Sequence, residues 1–366
     1  MPAAPDSRPP ELLPLTAIRG LAAWWVVLFH LRAFLAPWIP GAVLAVLARG
    51  NLAVDLFFIL SGFVIALNYA ERVAEGDGRT YADFLFRRFA RVYPLHLLIL
   101  LGFAAYALAA WRFGTARPED QHWGYFAASL FLVQNWGLTD EARWNVPAWS
   151  ISTEALAYLV FPAIVALLLP KRRPLWLLAG ATILLGLSVE PFFWLTHHPF
   201  PNAVAQTGLC RCLAQFAMGV ALAGLWQRLP RRRWLPAALA AAAALLAAAF
   251  VLWNAPVVPL AWAALILALA LRGEGGVLAS PPLVWLGRVS YATYLCHYLL
   301  LTLFKYAFVT AGEPVAPARL VLYLLAVLCA SAILYHGFER PAQARLLGWW
   351  QSRARRRAGE AVHAGC

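Results

Sequence analysis

Long apolar runs alternate with short basic or proline-containing segments along almost the whole chain. The first run, Leu15 to Leu35, is apolar enough to cross a bilayer, and further runs of similar character follow it. At about 20 residues per span, this pattern predicts about ten transmembrane helices and an all-α fold, a polytopic membrane helix bundle. The predicted helices are centred near Val26, Phe58, Leu101, Tyr158, Ile183, Met218, Leu245, Leu265, Tyr298 and Leu325.

The composition supports the prediction of a membrane protein. Of the 366 residues, 62% are hydrophobic and only 13% are charged, which is far too apolar for a soluble domain of this length. The 17 Trp and 12 Tyr suit a chain with many membrane-water interfaces. The five cysteines lack the spacing of metal ligands, so we expect neither a disulfide framework nor a metal site.

The net charge of +13 comes from basic residues that cluster in short segments between apolar runs. That pattern orients membrane helices and does not indicate nucleic-acid binding. With the N-terminus inside, the main basic segments all fall on the cytoplasmic side, so we predict an even number of spans and two cytoplasmic termini. These segments are Arg87 to Arg91, residues 171–174, residues 228–234 and residues 353–357.

Three parts follow from this topology. We expect an N-terminal cytoplasmic segment over residues 1–14, a transmembrane domain over 15–340 and a flexible basic cytoplasmic tail over 341–366. The longest outer connection, residues 111–147, contains a moderately amphipathic stretch at 123–136. That stretch either lies in the interface or re-enters the membrane, where it would roof a cavity.

Arg19 and His30 lie inside the first apolar run. They are eleven positions apart, which on a helix is three turns plus roughly 20° and a rise of about 16 Å. The two side chains therefore share one face. A charged side chain in hydrocarbon costs about 2.5 to 3.5 kcal/mol, so that face should turn toward the protein interior. From these two residues alone, a snorkelling Arg19 and a hydrogen-bonded core His30 remain equally open.

Two acidic residues occupy similar depths in other predicted spans. Asp55 lies near the outer end of the second and Glu154 about two turns into the fourth. A carboxylate beside an imidazole fixes its tautomer and stabilises the imidazolium, as a histidine acting as general base requires. The alternative for Asp55 is a hydrogen-bonded residue at a helix start. For Glu154, which has no evident basic partner on its own helix, the pattern slightly favours function.

Two further groups of polar residues are candidates for ligand binding. Arg88 and Arg91 are three apart and share a helical face, which suits phosphate groups, although an orienting basic stretch or a lipid headgroup site has the same pattern. Tyr294 and His297 are also three apart, near mid-membrane, and either line one cavity or pack with internal hydrogen bonds. Glu339 is expected to pair with a nearby arginine.

Taken together, five stretches of the chain resemble the acyltransferase 3 family of integral membrane proteins. FERP at 338–341 is a weaker sixth, and the order and spacing of the stretches make the resemblance specific. They are IRGLAAWWVVLFH at 18–30, VDLFFILSGFVIA at 54–66, FLFRRFARVYPLHLL at 84–98, VPAWSISTEALAY at 146–158 and LGRVSYATYLCH at 286–297.

The resemblance implies transfer of an acyl group, commonly acetyl, from coenzyme A to hydroxyls of carbohydrates and other acceptors. It implies that Arg19 and His30 form the family's Arg-x10-His pair, that Arg88 and Arg91 form its Arg-x-x-Arg motif near the acyl donor, and that Glu154 is its fourth-span acid. Thr16 and Ala155 depart from the family pattern, since many members have an acid at each of these two positions. These departures weaken inferences about the acceptor and leave the core pairs intact.

The sequence therefore predicts a membrane O-acyltransferase that uses acetyl-CoA or another acyl-CoA. His30 is the predicted general base, oriented by Glu154 or Asp55, and Arg19, Arg88 and Arg91 are predicted to hold the donor. The predicted substrate-binding residues are Trp149, Ser150, Tyr294 and His297.

We expect a carbohydrate or lipid-linked acceptor, contact with membrane lipids, no nucleic acid and no metal. The protein is expected in the bacterial inner membrane. Because no esterase-like domain follows the last predicted helix, it is expected to work alone or to hand its group to a separate acceptor-side transferase. The alternative is a transporter or flippase of lipid-linked sugars, since buried polar residues in a helix bundle also mark substrate pathways.

Overall fold

The chain folds into a bundle of α-helices, seen in a computed structural model that describes residues 11–114, 122–170, 174–188, 204–251, 257–273, 275–310 and 313–364. No strand occurs among these residues. The helices are α1 Leu13–Leu35, α2 Gly41–Leu47, α3 Ala53–Glu75, α4 Gly78–Arg112, α5 Trp123–Leu130, α6 Trp149–Leu168, α7 Leu175–Leu187, α8 Val204–Arg228, α9 Arg231–Val251, α10 Val257–Arg272, α11 Pro281–Phe308, α12 Pro317–Leu334 and α13 Arg340–Ala364.

Short helical turns complete the described fold. Three are 3₁₀ turns, and a π-helical turn joins α12 to α13. They lie at Gly50–Leu52, Val146–Ala148, Val277–Ala279 and, for the π turn, Tyr335–Glu339. Two regions used in the topology prediction, residues 1–10 and the basic segment 171–173, lie outside the described residues.

Every predicted helix centre falls within a helix of the structure. Among the described residues, six helical segments are long and apolar enough to cross a membrane. The chain is thus an all-helical integral membrane protein. The count of about ten spans and the cytoplasmic location of both termini stay predictions.

Glycines let two pairs of helices approach closely. A Cβ atom on Gly20 of α1 would lie 2.6 Å from the backbone nitrogen of Gly287 in α11. In the same way, a Cβ atom on Gly62 of α3 would collide with the carbonyl oxygen of Phe216 in α8. Small residues at such crossings are typical of membrane bundles, where packing and hydrogen bonding, not the hydrophobic effect, hold helices together. The first crossing sets the distance between the two helices that carry His30 and His297.

The basic tail is ordered as a helix, which corrects the expectation that it is flexible. Helix α13 covers almost all of it and packs against α4. The Trp350 ring stacks on Phe86 with 4.3 Å between ring centroids, and its Nε1–H donates to a carboxylate oxygen of Asp83 at 3.1 Å. The tail therefore contacts the part of α4 that carries Arg88 and Arg91.

Candidate active site

A cavity of about 190 Å³ lies among α1, α3, α4, α6 and α11. Six of the ten residues predicted for the site line it. Those six are Arg19, Arg88, Arg91, Ser150, Glu154 and Tyr294. The cavity is also lined by polar residues that the prediction of site residues had left out, namely Ser61, Tyr158, Ser290 and Tyr291.

Helix α1 presents Arg19 and His30 to the same neighbour, α11. The Arg19 Nη2–H donates to the carbonyl oxygen of Gly287 at 2.8 Å, and its Nε–H donates to the Ser290 hydroxyl at 3.0 Å. Further along, the His30 ring lies 5.3 Å from the His297 ring, measured between centroids. The predicted shared face is therefore confirmed. Arg19 lines the cavity, whereas His30 is not among its lining residues.

Arg88 and Arg91 both line the cavity, as their spacing predicted, but their partners differ. The Arg88 Nη2–H donates to the Tyr69 hydroxyl at 3.1 Å, and its Nε–H is buried without a partner among the described residues. Arg91 forms an ion pair with the buried carboxylate of Glu339, which confirms the expected pairing of Glu339 with an arginine. Arg88 consequently keeps an unused donor, while Arg91 already holds an anion.

Glu154 belongs to the cavity and not to the surroundings of His30. One carboxylate oxygen accepts a hydrogen bond from the Ser61 hydroxyl, and the Tyr158 hydroxyl is a second partner. Two hydroxyl groups therefore hold the Glu154 side chain at the wall of the cavity that the arginines also line. The expectation that Glu154 orients His30 is not met in this arrangement.

Asp55 is also placed differently from the prediction. Its Oδ1 accepts a hydrogen bond from Arg211 Nε at 2.7 Å and another from the Gln215 amide, both on α8. The ion pair is almost completely buried, with 2% of Arg211 and none of Asp55 exposed. A buried guanidinium needs a counter-ion, and Asp55 supplies it. Asp55 thus links α3 to α8 and does not orient His30.

The sequence did contain a signal for this pair. Arg211 lies within an apolar run, as Asp55 does, and two opposite charges at membrane depth are expected to find each other. Trp149 packs beside them, with its ring 5.8 Å from the guanidinium carbon of Arg211 and 5.8 Å from the Phe58 ring. The Trp149 ring packs in the core and does not line the cavity, so its substrate-binding role stays a prediction.

The other predicted substrate-binding residues separate into two groups. The Ser150 and Tyr294 hydroxyls share a hydrogen bond of 2.9 Å at the cavity wall, and Tyr294 also donates to the carbonyl oxygen of Pro147 at 3.0 Å. His297 is fully buried behind Tyr294, with 6.1 Å between ring centroids, and does not line the cavity. Its position places it beside His30 instead.

The fold and the site define an integral membrane protein with a cavity that three arginines line inside a helix bundle and a pair of histidines near it. The chain belongs to the acyltransferase 3 family, whose acyltransferase domain matches residues 14–336. No solved structure matches the chain.

Several bacterial proteins are similar to the chain. Acyltransferase MdmB of Streptomyces mycarofaciens is 31% identical, over 91% of this chain and 92% of that protein. Protein 2 in picA locus of Rhizobium radiobacter is 34% identical, over 50% of this chain and 98% of that protein. Peptidoglycan O-acetyltransferase OatA of Listeria monocytogenes is 25% identical, over 79% of this chain and 49% of that protein. These comparisons support a membrane O-acyltransferase and favour it over the transporter alternative.

Proposed function

We propose that the protein transfers an acyl group, acetyl in the simplest case, from acyl-CoA to a hydroxyl of a carbohydrate or related acceptor. The observation that carries this proposal is the convergence of Arg19, Arg88, Arg91 and Glu154 on one cavity in a chain of this family. Guanidinium groups bind phosphate oxygens through paired, charge-assisted hydrogen bonds, and coenzyme A is the phosphate-rich donor that such a cluster suits.

The unused Nε–H of Arg88 supports donor binding. A buried N–H without a partner is unfavourable, and a phosphate oxygen of the donor would satisfy it. The cavity of about 190 Å³ is smaller than the roughly 300–1,000 Å³ of pockets that enclose whole drug-sized ligands. We therefore place only the pantetheine arm of the donor inside, extending past Arg19 toward His30, and we place the phosphates at the cytoplasmic end of the cavity, next to Arg88 and Arg91.

The chemistry that we assign to His30 is general base catalysis. His30 removes the proton from the acceptor hydroxyl while that oxygen attacks the thioester carbon. The new C–O bond forms, the C–S bond breaks, and the thiolate leaves and recovers the proton from the imidazolium. Because a thiol has a pKa of about 8.5, the thiolate leaves without strong acid assistance. An acyl-histidine intermediate is the competing route.

The acceptor and the location are inferred from the relatives. One of them is named a peptidoglycan O-acetyltransferase, which favours a carbohydrate hydroxyl here as well, free or lipid-linked. We place the protein in the bacterial inner membrane, in contact with its lipids. A separate acceptor-side transferase is a further expected partner.

The test uses purified protein in lipid nanodiscs with acetyl-CoA labelled in the acetyl group. We expect release of free CoA thiol and transfer of label to a carbohydrate acceptor. His30→Gln should lower thiol release by about 10²–10⁴-fold, because glutamine keeps hydrogen bonding without taking up a proton. His122→Gln, at an exposed histidine, is the matched control and should behave like the wild type.

Two outcomes would contradict the proposal. The first is a wild-type protein that moves a lipid-linked sugar across liposomes without releasing CoA thiol, which would favour the transporter. The second is a folded His30→Gln variant with near-normal turnover, which would return His30 to the role of a core histidine.

A further inference from the structure

Neither of the two carboxylates predicted to orient His30 is placed to do so in the described part of the chain, although a histidine acting as a base is commonly oriented by such a partner. Asp55 is held by Arg211, and Glu154 is held by Ser61. What His30 does contact is a second histidine: the His297 ring lies 5.3 Å away between centroids, with 39° between the ring planes. The structure thus places an imidazole where the sequence predicted a carboxylate.

The tautomer of His297 follows from its hydrogen bond. Its Nδ1 lies 3.1 Å from the backbone carbonyl oxygen of Thr293, one helical turn earlier. A carbonyl oxygen only accepts hydrogen bonds, so Nδ1 must carry the proton. In a neutral imidazole the other nitrogen, Nε2, is then an acceptor. This Nε2 is buried and has no hydrogen-bond partner among the described residues.

His297 is also held rigidly. The residue is completely buried, and the Tyr323 hydroxyl donates to its backbone carbonyl oxygen at 3.0 Å. Tyr298 packs edge-on against the His30 ring, with 5.1 Å between ring centroids, and restricts that ring in turn. Two fixed imidazoles face each other across the contact of α1 with α11.

We propose that His297 is the positioning residue of His30, a role that rests on the proposed function. The His30 N–H donates to a bridging water molecule, which in turn donates to Nε2 of His297. The opposite nitrogen of His30 is thereby left unprotonated and directed toward the acceptor hydroxyl. When His30 takes up the hydroxyl proton, both of its nitrogens become donors, and the water bridge to the neutral His297 strengthens. His297 itself neither gains nor loses a proton.

The first test is spectroscopic and needs no substrate. The protein is labelled with ¹⁵N-histidine, and the resonances of His30 and His297 are assigned from His30→Gln and His297→Gln variants. We expect His297 to be neutral with its proton on Nδ1, and we expect His297→Leu to shift the His30 nitrogen resonances. A proton on Nε2 of His297, or His30 resonances that are unchanged in His297→Leu, would overturn the proposal.

The second test is kinetic and separates positioning from a purely structural role. His297→Leu should lower kcat for acetyl transfer by roughly 10- to 100-fold, the usual range for a partner that orients a functional histidine, and should leave the KM for acetyl-CoA unchanged. His297→Gln should recover part of that loss, since its amide oxygen can accept the hydrogen bond from the bridging water molecule. The double variant His30→Ala/His297→Leu should be no slower than His30→Ala alone, because the partner matters only while His30 is present.

Additive losses in the double variant, or no recovery in His297→Gln compared with His297→Leu at equal thermal stability, would also overturn the assignment. Failure of the proposed function is distinguishable from this outcome. A wild-type protein that does not transfer acetyl refutes the function, whereas the nitrogen resonances report on the histidine pair in either case.

Discussion

At the scale of single residues, the partners of the two donor-site arginines decide what each can contribute. The Nε–H of Arg88 is buried and has no partner in the described part of the chain, whereas Arg91 forms an ion pair with the carboxylate of Glu339. An incoming phosphate would complete the hydrogen bonding of Arg88, but it would have to compete with Glu339 for Arg91. The two arginines look alike in the sequence, and the structure makes them unequal.

We therefore expect Arg88→Ala to raise the KM for acetyl-CoA more than Arg91→Ala does. A lost charge-assisted hydrogen bond costs about 1.5 to 3 kcal/mol, so the increase for Arg88→Ala should be about 10- to 150-fold. Lysine at position 88 should restore only part of the affinity, since a point charge does not reproduce the guanidinium fork. Initial rates at several donor concentrations, at low and high salt, measure both effects. Unchanged donor kinetics in both alanine variants would refute the assignment.

A second prediction concerns the buried pair of Asp55 and Arg211. Asp55→Asn removes the carboxylate that pairs with the buried Arg211 guanidinium, so the free energy of unfolding should fall by about 3 to 5 kcal/mol. Removing both charges, in Asp55→Asn/Arg211→Met, should recover much of that loss. Thermal unfolding in detergent measures the stability, and turnover per folded molecule should stay near the wild-type value. A loss of turnover without a loss of stability would point to a catalytic role for Asp55 after all.

At the scale of helices, the contact of α1 with α11 sets the geometry of the site. A Cβ atom at Gly287 would collide with the carbonyl oxygen of Thr16, and the Gly287 carbonyl oxygen accepts the Arg19 hydrogen bond. Gly287→Ala should therefore push the helices apart, lowering both turnover and the unfolding temperature. Gly180→Ala in α7 is the control: it meets no atom within 4 Å and should be neutral or slightly stabilising. Equal effects of the two substitutions would contradict this account.

The start of α4 depends on a cap that responds to pH. The Asp77 side chain accepts the backbone N–H groups of Thr80 at 3.0 Å and Arg79 at 3.1 Å. These hydrogen bonds, of which the one from Thr80 has the largest effect, hold the pKa of the Asp77 carboxyl below its usual value. The ionised Asp77 cap therefore contributes its full stabilisation at a pH above the ordinary carboxyl pKa. This contribution is lost as the pH falls through the lowered pKa that Asp77 has in the folded protein.

We expect the unfolding temperature of the wild type to fall relative to that of Asp77→Asn as the pH is lowered from 7 toward 3. Asparagine caps a helix without titrating, so the difference between the two proteins isolates the carboxylate. The measurement is a series of thermal unfolding curves for both proteins across this pH range. A difference that does not change with pH would show that the ionisation of Asp77 adds nothing to stability.

At the scale of the whole molecule, the tail and the donor end of the cavity lie on one side. Helix α13 contacts α4 through Trp350 and Asp83, and the Glu339 turn just before it holds Arg91. The positive-inside rule predicts that this side is cytoplasmic. One measurement of topology therefore locates both the tail and the proposed entry of the donor.

This topology is tested with single cysteines in a variant that lacks the natural ones. In spheroplasts, a membrane-impermeant thiol reagent should leave Arg353→Cys unlabelled until the cells are lysed. Leu138→Cys is the control in the outer connection, where 68% of the leucine is exposed, and should be labelled without lysis. Labelling of Arg353→Cys in intact spheroplasts would reverse the predicted orientation.

The sequence by itself determined the features that depend on distance along one helix. Apolar run length located the helices, because a bilayer demands about 20 apolar residues per span. The helical repeat brought Arg19 and His30 to one face, and likewise Arg88 and Arg91, because residues three or eleven apart differ little in angle. These predictions needed no knowledge of neighbouring helices.

Only the tertiary structure decided which helices those faces meet. Asp55 and Glu154 match His30 in depth, but depth does not specify how each helix is rotated about its axis or which helix lies beside it. The structure turns Asp55 toward Arg211 and Glu154 toward Ser61, and it leaves His30 facing His297. Pairing across helices is a property of their packing, set here by close contacts such as that of Gly20 with Gly287, so hydropathy and spacing alone could not predict it.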